Sequence, residues 1–574
     1  MSAGMGRSVN AVRSFGRATY RRFRRLADPP LAFAPRIPES ILIAPPDILE
    51  GDAEKAAAMY GGRFELAGHR IDTQGHSPFL IEAPTAWKRA LHGFGWLRHC
   101  RKAGTELASA NARALTGDWF QTHGRPGDDV VWNPTVVAVR FRHWLSHSPV
   151  LLGHGDFVFY DKYLRQLALH HRFLKRAARD ETDPLTRVYV LTALSIASLA
   201  FPSSRQEQVR YAGTLGVELN SQVLPDGGHV SRRADILVDM LTQLLPLRQC
   251  YLAKGMVAPR TLLVAIDRML PALRMQRHAD GTLAAHCGTV STRRTKLDAV
   301  LLLEADGAAQ TEARDSGFER LAIGGTVIIA DTGGKPPSPF GQNAHDGSLS
   351  FELSSGADGA GRRFVINLGP AATGETLAGA SDSSAQRELM EAMRSRAAHS
   401  TLELNIAAGS EREARRSRRD HSSNDRSGTK EATRVDAEDG SFNGFRAVRG
   451  TLNKTTEHER ILTLTNGGDV LRGLDRLRST GKNPSAPTPA STIRFHIHPD
   501  ITVAQDDKGI ELRADTGEAW HFAPTPREGV SVAVEASLYC AGSTPRPTKQ
   551  IVLRLDGANA VEWVFTRQTL QSVR

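Results

Sequence analysis

From about Ala83, apolar residues recur at the spacing of a helix with one buried stripe. Val136, Val137, Val139, Phe141 and Trp144 form one such set and Leu164, Leu167, Ala168 and Leu174 another. Leu237, Met240, Leu241 and Leu244 follow, then Leu262, Ile266, Met269, Leu270 and Leu273. Gaps of three and four residues place each set on a single helical face. Pro134, in Trp132-Asn133-Pro134, suits the first turn of a helix, where its missing N–H costs nothing. Each such stripe must be buried against a neighbour, so repeated amphipathic helices with short links predict an array of helix pairs.

Near Leu301 the helical period fades, and from Phe318 to Asp331 a period of two begins. Leu349, Phe351 and Leu353 alternate with Ser350, Glu352 and Ser354, and after a Gly-rich turn Phe364, Ile366 and Leu368 keep the same rhythm. That alternation predicts strands with one buried face, and its recurrence through Phe565 predicts an antiparallel sandwich. The expected organisation is a basic, Pro-rich lead-in over residues 1–60, a helical domain over 61–305 and a sandwich over 306–574. Residues 407–441 contain one Val and no Leu, Ile, Met or aromatic residue, so they are expected to form a flexible loop. Residues 479–491, rich in Pro, Ser and Thr, read as a second loop.

At 574 residues the chain is long enough for two cores. Its formal net charge of +11 favours anionic partners. Four scattered cysteines, Cys100, Cys250, Cys287 and Cys540, form no CxxC pair and read as buried thiols. No window reaches the roughly 20 apolar residues of a membrane helix. The first 27 residues hold seven arginines and no acid, but lack the apolar core and cleavage site of a secretory signal. The pair Gly227-Gly228 lacks the spacing of a phosphate loop, and no recognition motif supports a specific nucleic acid partner.

Four stretches taken in order resemble the heparinase II/III family of bacterial polysaccharide lyases. They are LPDGGHVSRR (Leu224–Arg233), AHDGSLSFELSSG (Ala344–Gly356), RSRAAHSTLELN (Arg394–Asn405) and EHERILTLTNGGDVLRGLDRL (Glu457–Leu477). The resemblance implies an incomplete (α/α) toroid followed by an antiparallel β-sandwich. It further implies β-elimination on an acidic, uronate-containing polysaccharide, and a place in the cell envelope or periplasm, with the cytoplasm as the alternative because no export signal is recognisable.

Elimination requires that the uronate carboxylate be neutralised, its neighbouring C5 proton removed and the departing oxygen protonated. The expected catalytic residues are His229, His345 and His399, with Arg187, Arg232 and Arg460 binding the anionic chain. No cofactor is required, although the resemblance suggests a structural zinc held by His345 and His399, with Asn367 standing where a carboxylate ligand is expected. Two departures from the family pattern bear on activity. Leu185-Thr186 replaces an Asn-His pair that helps neutralise the uronate, and RADILVDM follows the DGGH turn where relatives carry a tyrosine. The alternative is therefore a non-catalytic carbohydrate-binding or envelope-associated relative. No pattern fixes an oligomeric state.

Overall fold

The computed structural model describes residues 37–568 apart from 128, 154, 305–306, 371–383, 406–428, 438–440, 454–455, 466, 480–487 and 542–544. From Ala53 to Leu302 the chain is helical except for short connections and one small hairpin, Arg63–Leu66 with His69–Asp72. Among the described residues seven long helices carry this half: α1 (Glu106–Thr122), α2 (Pro134–Ser146), α3 (Phe157–Asp180), α4 (Pro184–Ala200), α5 (Arg205–Gln222), α6 (Ala234–Ala253) and α7 (Arg260–Met275). Pro134 opens α2 as expected, and the Asn133 side chain caps it by accepting the Thr135 N–H.

The helices form two layers, and side-chain pattern decides which helix lies in which. α4 packs on both α2 and α6, while α3, α5 and α7 lie outside them. From Val188 to Ala200, α4 (PLTRVYVLTALSIASLA) is apolar or small on every side and almost wholly buried, as a helix surrounded by others must be. α7 shows one buried stripe, Leu262, Ile266, Met269, Leu270 and Leu273, which suits the outer layer. The lead-in from residue 37 is tied down. The Leu42 N–H donates to the Ala200 carbonyl, and the buried Asp47 carboxylate accepts from Arg98 and His147.

The second half is two packed antiparallel sheets. One runs Val530–Tyr539, Arg546–Leu555, Ser491–Ile497, Arg362–Ile366, Phe351–Ser355, Thr326–Asp331, Phe318–Ile323, Glu312–Ala313, with Leu402–Leu404 also paired to Ser491–Ile497. The other runs Thr502–Asp506, Gly509–Arg513, Ala519–Pro524, Ala560–Gln568, Val470–Ser479, Thr456–Thr465, Phe442–Asn453, Thr429–Arg434. Phe351, Phe495, Phe522, Trp563 and Phe565 meet between them, each contributing about 2–3 kcal/mol by burial. Part of the predicted loop is thus a strand: Thr429–Arg434 pairs with Phe442–Asn453 at the sheet edge, where backbone hydrogen bonds replace the missing apolar side chains. Residues 406–428 and 480–487 of the two predicted loops, and the Arg-rich start, lie outside the described residues.

The polar face of Phe351–Ser355 departs from the simple alternation. All five residues are buried, because the helical half covers that face. His278 reaches Glu352 Oε2 through Nε2 and Ser354 Oγ through Nδ1, both at 2.9 Å. Glu352 Oε1 accepts the N–H groups of Ala285 and Asn367. His286 donates from Nε2 to the Ile329 carbonyl, which leaves its Nδ1 to accept from the Asn367 amide at 3.1 Å. Burial would raise the Glu352 carboxyl, but the His278 hydrogen bond and nearby His286 outweigh it and bring it down to about 2. The two halves therefore meet through a buried, hydrogen-bonded polar seam.

Candidate functional site

On the helical side, the turn Leu224–Arg233 joins α5 to α6. A side chain at Gly227, whose φ is +83°, would strike the Arg268 carbonyl, so only glycine lets the turn lie this close to α7. His229 is 1% exposed. Its Nδ1 accepts the Ser231 N–H at 3.1 Å, which fixes the proton on Nε2, and that proton goes to Gln222 Oε1 at 3.3 Å. Burial, with a smaller effect of Arg233, pushes the imidazole down to about 3. Both ring nitrogens are occupied, so His229 does not present a group to a substrate.

The three arginines expected to bind an anionic chain each have partners within the protein. Arg232 donates to the carbonyls of Ser316, Gly317 and Gly334 and to the Asp331 carboxylate, riveting the turn to the sandwich. Arg187 pairs with Glu218 at 2.6 Å and caps the Ala178 and Glu181 carbonyls at the end of α3. Arg460 is buried, bound twice to Asp475 and once each to the carbonyls of Leu349 and Ser400. It lies on the strand Thr456–Thr465, and its side chain points into the sandwich. Leu185-Thr186 opens α4, and the Thr186 hydroxyl is hydrogen-bonded to its cap, Asp183.

On the sandwich side, His345 and His399 come together. His399 Nδ1 donates to the Ser395 carbonyl at 2.8 Å, so its Nε2 carries a lone pair. That lone pair accepts from His345 Nδ1 at 3.3 Å. The chain of tautomers leaves His345 Nε2 as an open lone pair, on a residue that is only part-buried, facing the backbone of Gly288 in the helical half. Burial, then His399, Arg394 and Arg233, lowers His345 to about 3; burial holds His399 at about 4. Both rings are neutral near pH 7. His229 is not part of this pair; it packs edge-on against Phe340, five residues before His345, with ring centroids 5.1 Å apart.

The next residue, Asp346, accepts from Arg396 at 2.7 Å and from Arg449 at 2.9 Å. Sequence reasoning missed both arginines. Their signal was weak, since Arg396 lies within RSRAAHST as one of several basic residues and Arg449 precedes a bulge in its strand. It also missed His278, His286 and Glu352, whose partnership exists only once the halves dock.

A zinc site is not supported by these residues. Among the described residues no group of three His, Cys, Asp or Glu is arranged to hold a metal ion. The Asn367 amide, in the expected carboxylate position, is spent on Glu352, His286 and the Ser400 N–H. His345 and His399 bond to one another instead of converging on a third point.

A bowl of paired helices packed against a two-sheet sandwich is a fold shared with solved polysaccharide lyases. Residues 305–566 match the family described as Heparinase II/III-like, C-terminal. The fold of the chain is similar to that of heparinase III, with a TM-score of 0.62 and 13% identity, covering 91% of this chain and 85% of that one. It is also similar to heparan sulfate lyase HepC from Pedobacter heparinus, with a TM-score of 0.59 and 16% identity, covering 99% and 91%. A curated relative, FtsZ-localized protein C of Caulobacter vibrioides, is 26% identical over 563 residues, covering 92% of this chain and 91% of its own. No helix among the described residues is long and apolar enough to cross a membrane.

Proposed function

We propose that this protein uses the lyase fold to bind an acidic, uronate-containing glycan without cleaving it by β-elimination. The observation that carries this reading is His229, the imidazole expected to engage the uronate, whose two ring nitrogens are spent on Ser231 and Gln222. Elimination needs a carboxylate neutraliser, a base and an acid acting together. His345 Nε2 offers a base, but Arg187, Arg232 and Arg460 are committed to internal partners, and the Asn-His and tyrosine positions of the family hold other residues. The test is to incubate the purified chain with heparan, alginate, chondroitin and exopolysaccharide, following both saturable binding and the absorbance of an unsaturated uronate. Binding without new absorbance is expected; steady turnover would restore the lyase assignment.

The similarity to a relative named for its localisation with FtsZ, spanning over nine-tenths of both chains, supports a second element: this chain too localises with FtsZ. A fluorescent fusion should follow FtsZ in the cell, and purified FtsZ should retain the chain in a pull-down. A uniformly dispersed fusion would contradict it.

A further inference from the structure

Beside the His345–His399 pair, the sandwich holds two arginines in an arrangement that the fold alone does not require. The side chains of Arg396 and Arg449 are 7% and 9% exposed, yet both turn to one carboxylate, Asp346, whose side chain is 43% exposed. Arg396 is otherwise anchored, donating from Nη1 to the Leu402 carbonyl. Arg449 is not: its Nε and Nη1 are buried and meet no acceptor. Leaving buried guanidinium donors unpaired costs about 1–3 kcal/mol or more, so a structural role would favour a better-satisfied residue. The surroundings add positive potential, because Arg394 and Arg233 both act on the neighbouring His345. The geometry is that of a fork-and-fork carboxylate receptor whose walls are fixed and whose present occupant is the most exposed member.

We propose that Arg396 and Arg449 form a carboxylate subsite for the glycan, and that Asp346 occupies it in the free protein as an internal stand-in which the ligand's carboxylate displaces. When Asp346 swings outward, the planar acid of a uronate takes its place between the two guanidiniums, with His345 Nε2 accepting a hydroxyl of the same sugar. This rests on the reading of the protein as a binder of acidic glycan, and it names the group that is read and the residue that competes with it.

The experiment is calorimetric titration of the full chain with an oligoglucuronate and with the same oligosaccharide after reduction of its carboxyl groups to alcohols. Asp346→Asn keeps the shape but removes the competing charge, and is expected to tighten oligoglucuronate binding about tenfold. Arg449→Met should weaken it by about tenfold or more, and Arg449→Lys, which keeps charge but loses the fork, should fall between. Asp358→Asn makes the same change in net charge at an exposed residue paired with Arg277, and should leave affinity unchanged within about twofold. The reduced oligosaccharide should not distinguish Asp346→Asn from the parent chain. Equal tightening by Asp346→Asn and Asp358→Asn, or oligoglucuronate binding unaffected by Asp346→Asn and by both Arg449 variants, would overturn the subsite while leaving glycan binding standing. Absence of binding by every form, each melting as a folded protein, would overturn both.

Discussion

The turn at His229 and the pair at His345 and His399 sit on opposite sides of the same seam and carry the same kind of side chain, yet their hydrogen bonds give them opposite roles. At His229 a backbone N–H fills one nitrogen and a buried glutamine accepts from the other, so the ring is part of the scaffold. At His345 the tautomer is set by His399 and Ser395, and the remaining lone pair is left open. The lesson is that availability, not residue type or motif, separates a structural histidine from one that can meet a ligand. The same contrast holds for the arginines: Arg232 and Arg460 bind three or more internal groups each, whereas Arg449 keeps two buried nitrogens without acceptors.

The largest effect is expected on the scaffold side. Arg232→Ala would strand the buried Asp331 carboxylate and three carbonyls and should destabilise the protein by about 3–5 kcal/mol in a denaturant titration. Next comes pH. His229 and His399 are held neutral, at about 3 and 4, against an unfolded value of 6.5. The unfolded chain therefore binds more protons below pH 6.5, and stability must fall as pH drops from there toward 3. At pH 5 each such ring costs about 2 kcal/mol, so the melting temperature should decline steadily from pH 7 to pH 5. Glu352, lowered to about 2, adds a further loss between pH 4.5 and 2. A flat melting profile from pH 7 to 5 would show that these rings are protonated in the fold. His229→Ala should then cost about 1–3 kcal/mol through its abandoned partners while leaving glycan affinity per folded molecule unchanged. The smallest stability effect, within about 0.5 kcal/mol, is expected from His345→Ala, whose ring is part-exposed; its effect should appear in binding instead.

Much of the fold was legible because its periods were clean. The stripe of α7 marks a helix with one buried face, and the alternation of Phe351, Leu353 and Phe364 marks strands of the sandwich core. The candidate site was less legible, for a physical reason. Ser350, Glu352 and Ser354 show the polar phase of a strand with one buried face, which sequence alone assigns to the open side; here the helical half covers it and converts it into the His278–Glu352 contact. Arg460 misleads in the same way, since an arginine in a donor-rich strand reads as a binding group until Asp475, fifteen residues away, is seen beneath it. Contacts made across long separations leave no local pattern, so Arg396, Asp346 and Arg449 could be joined only in three dimensions.

The most direct test follows oligoglucuronate binding and the absorbance of an unsaturated uronate in the same sample of folded protein, comparing the parent chain with His229→Ala and His345→Ala. Saturable binding with no rise in absorbance is expected, weakened by His345→Ala and untouched by His229→Ala. An absorbance that climbs with protein concentration and disappears in His229→Ala would contradict it.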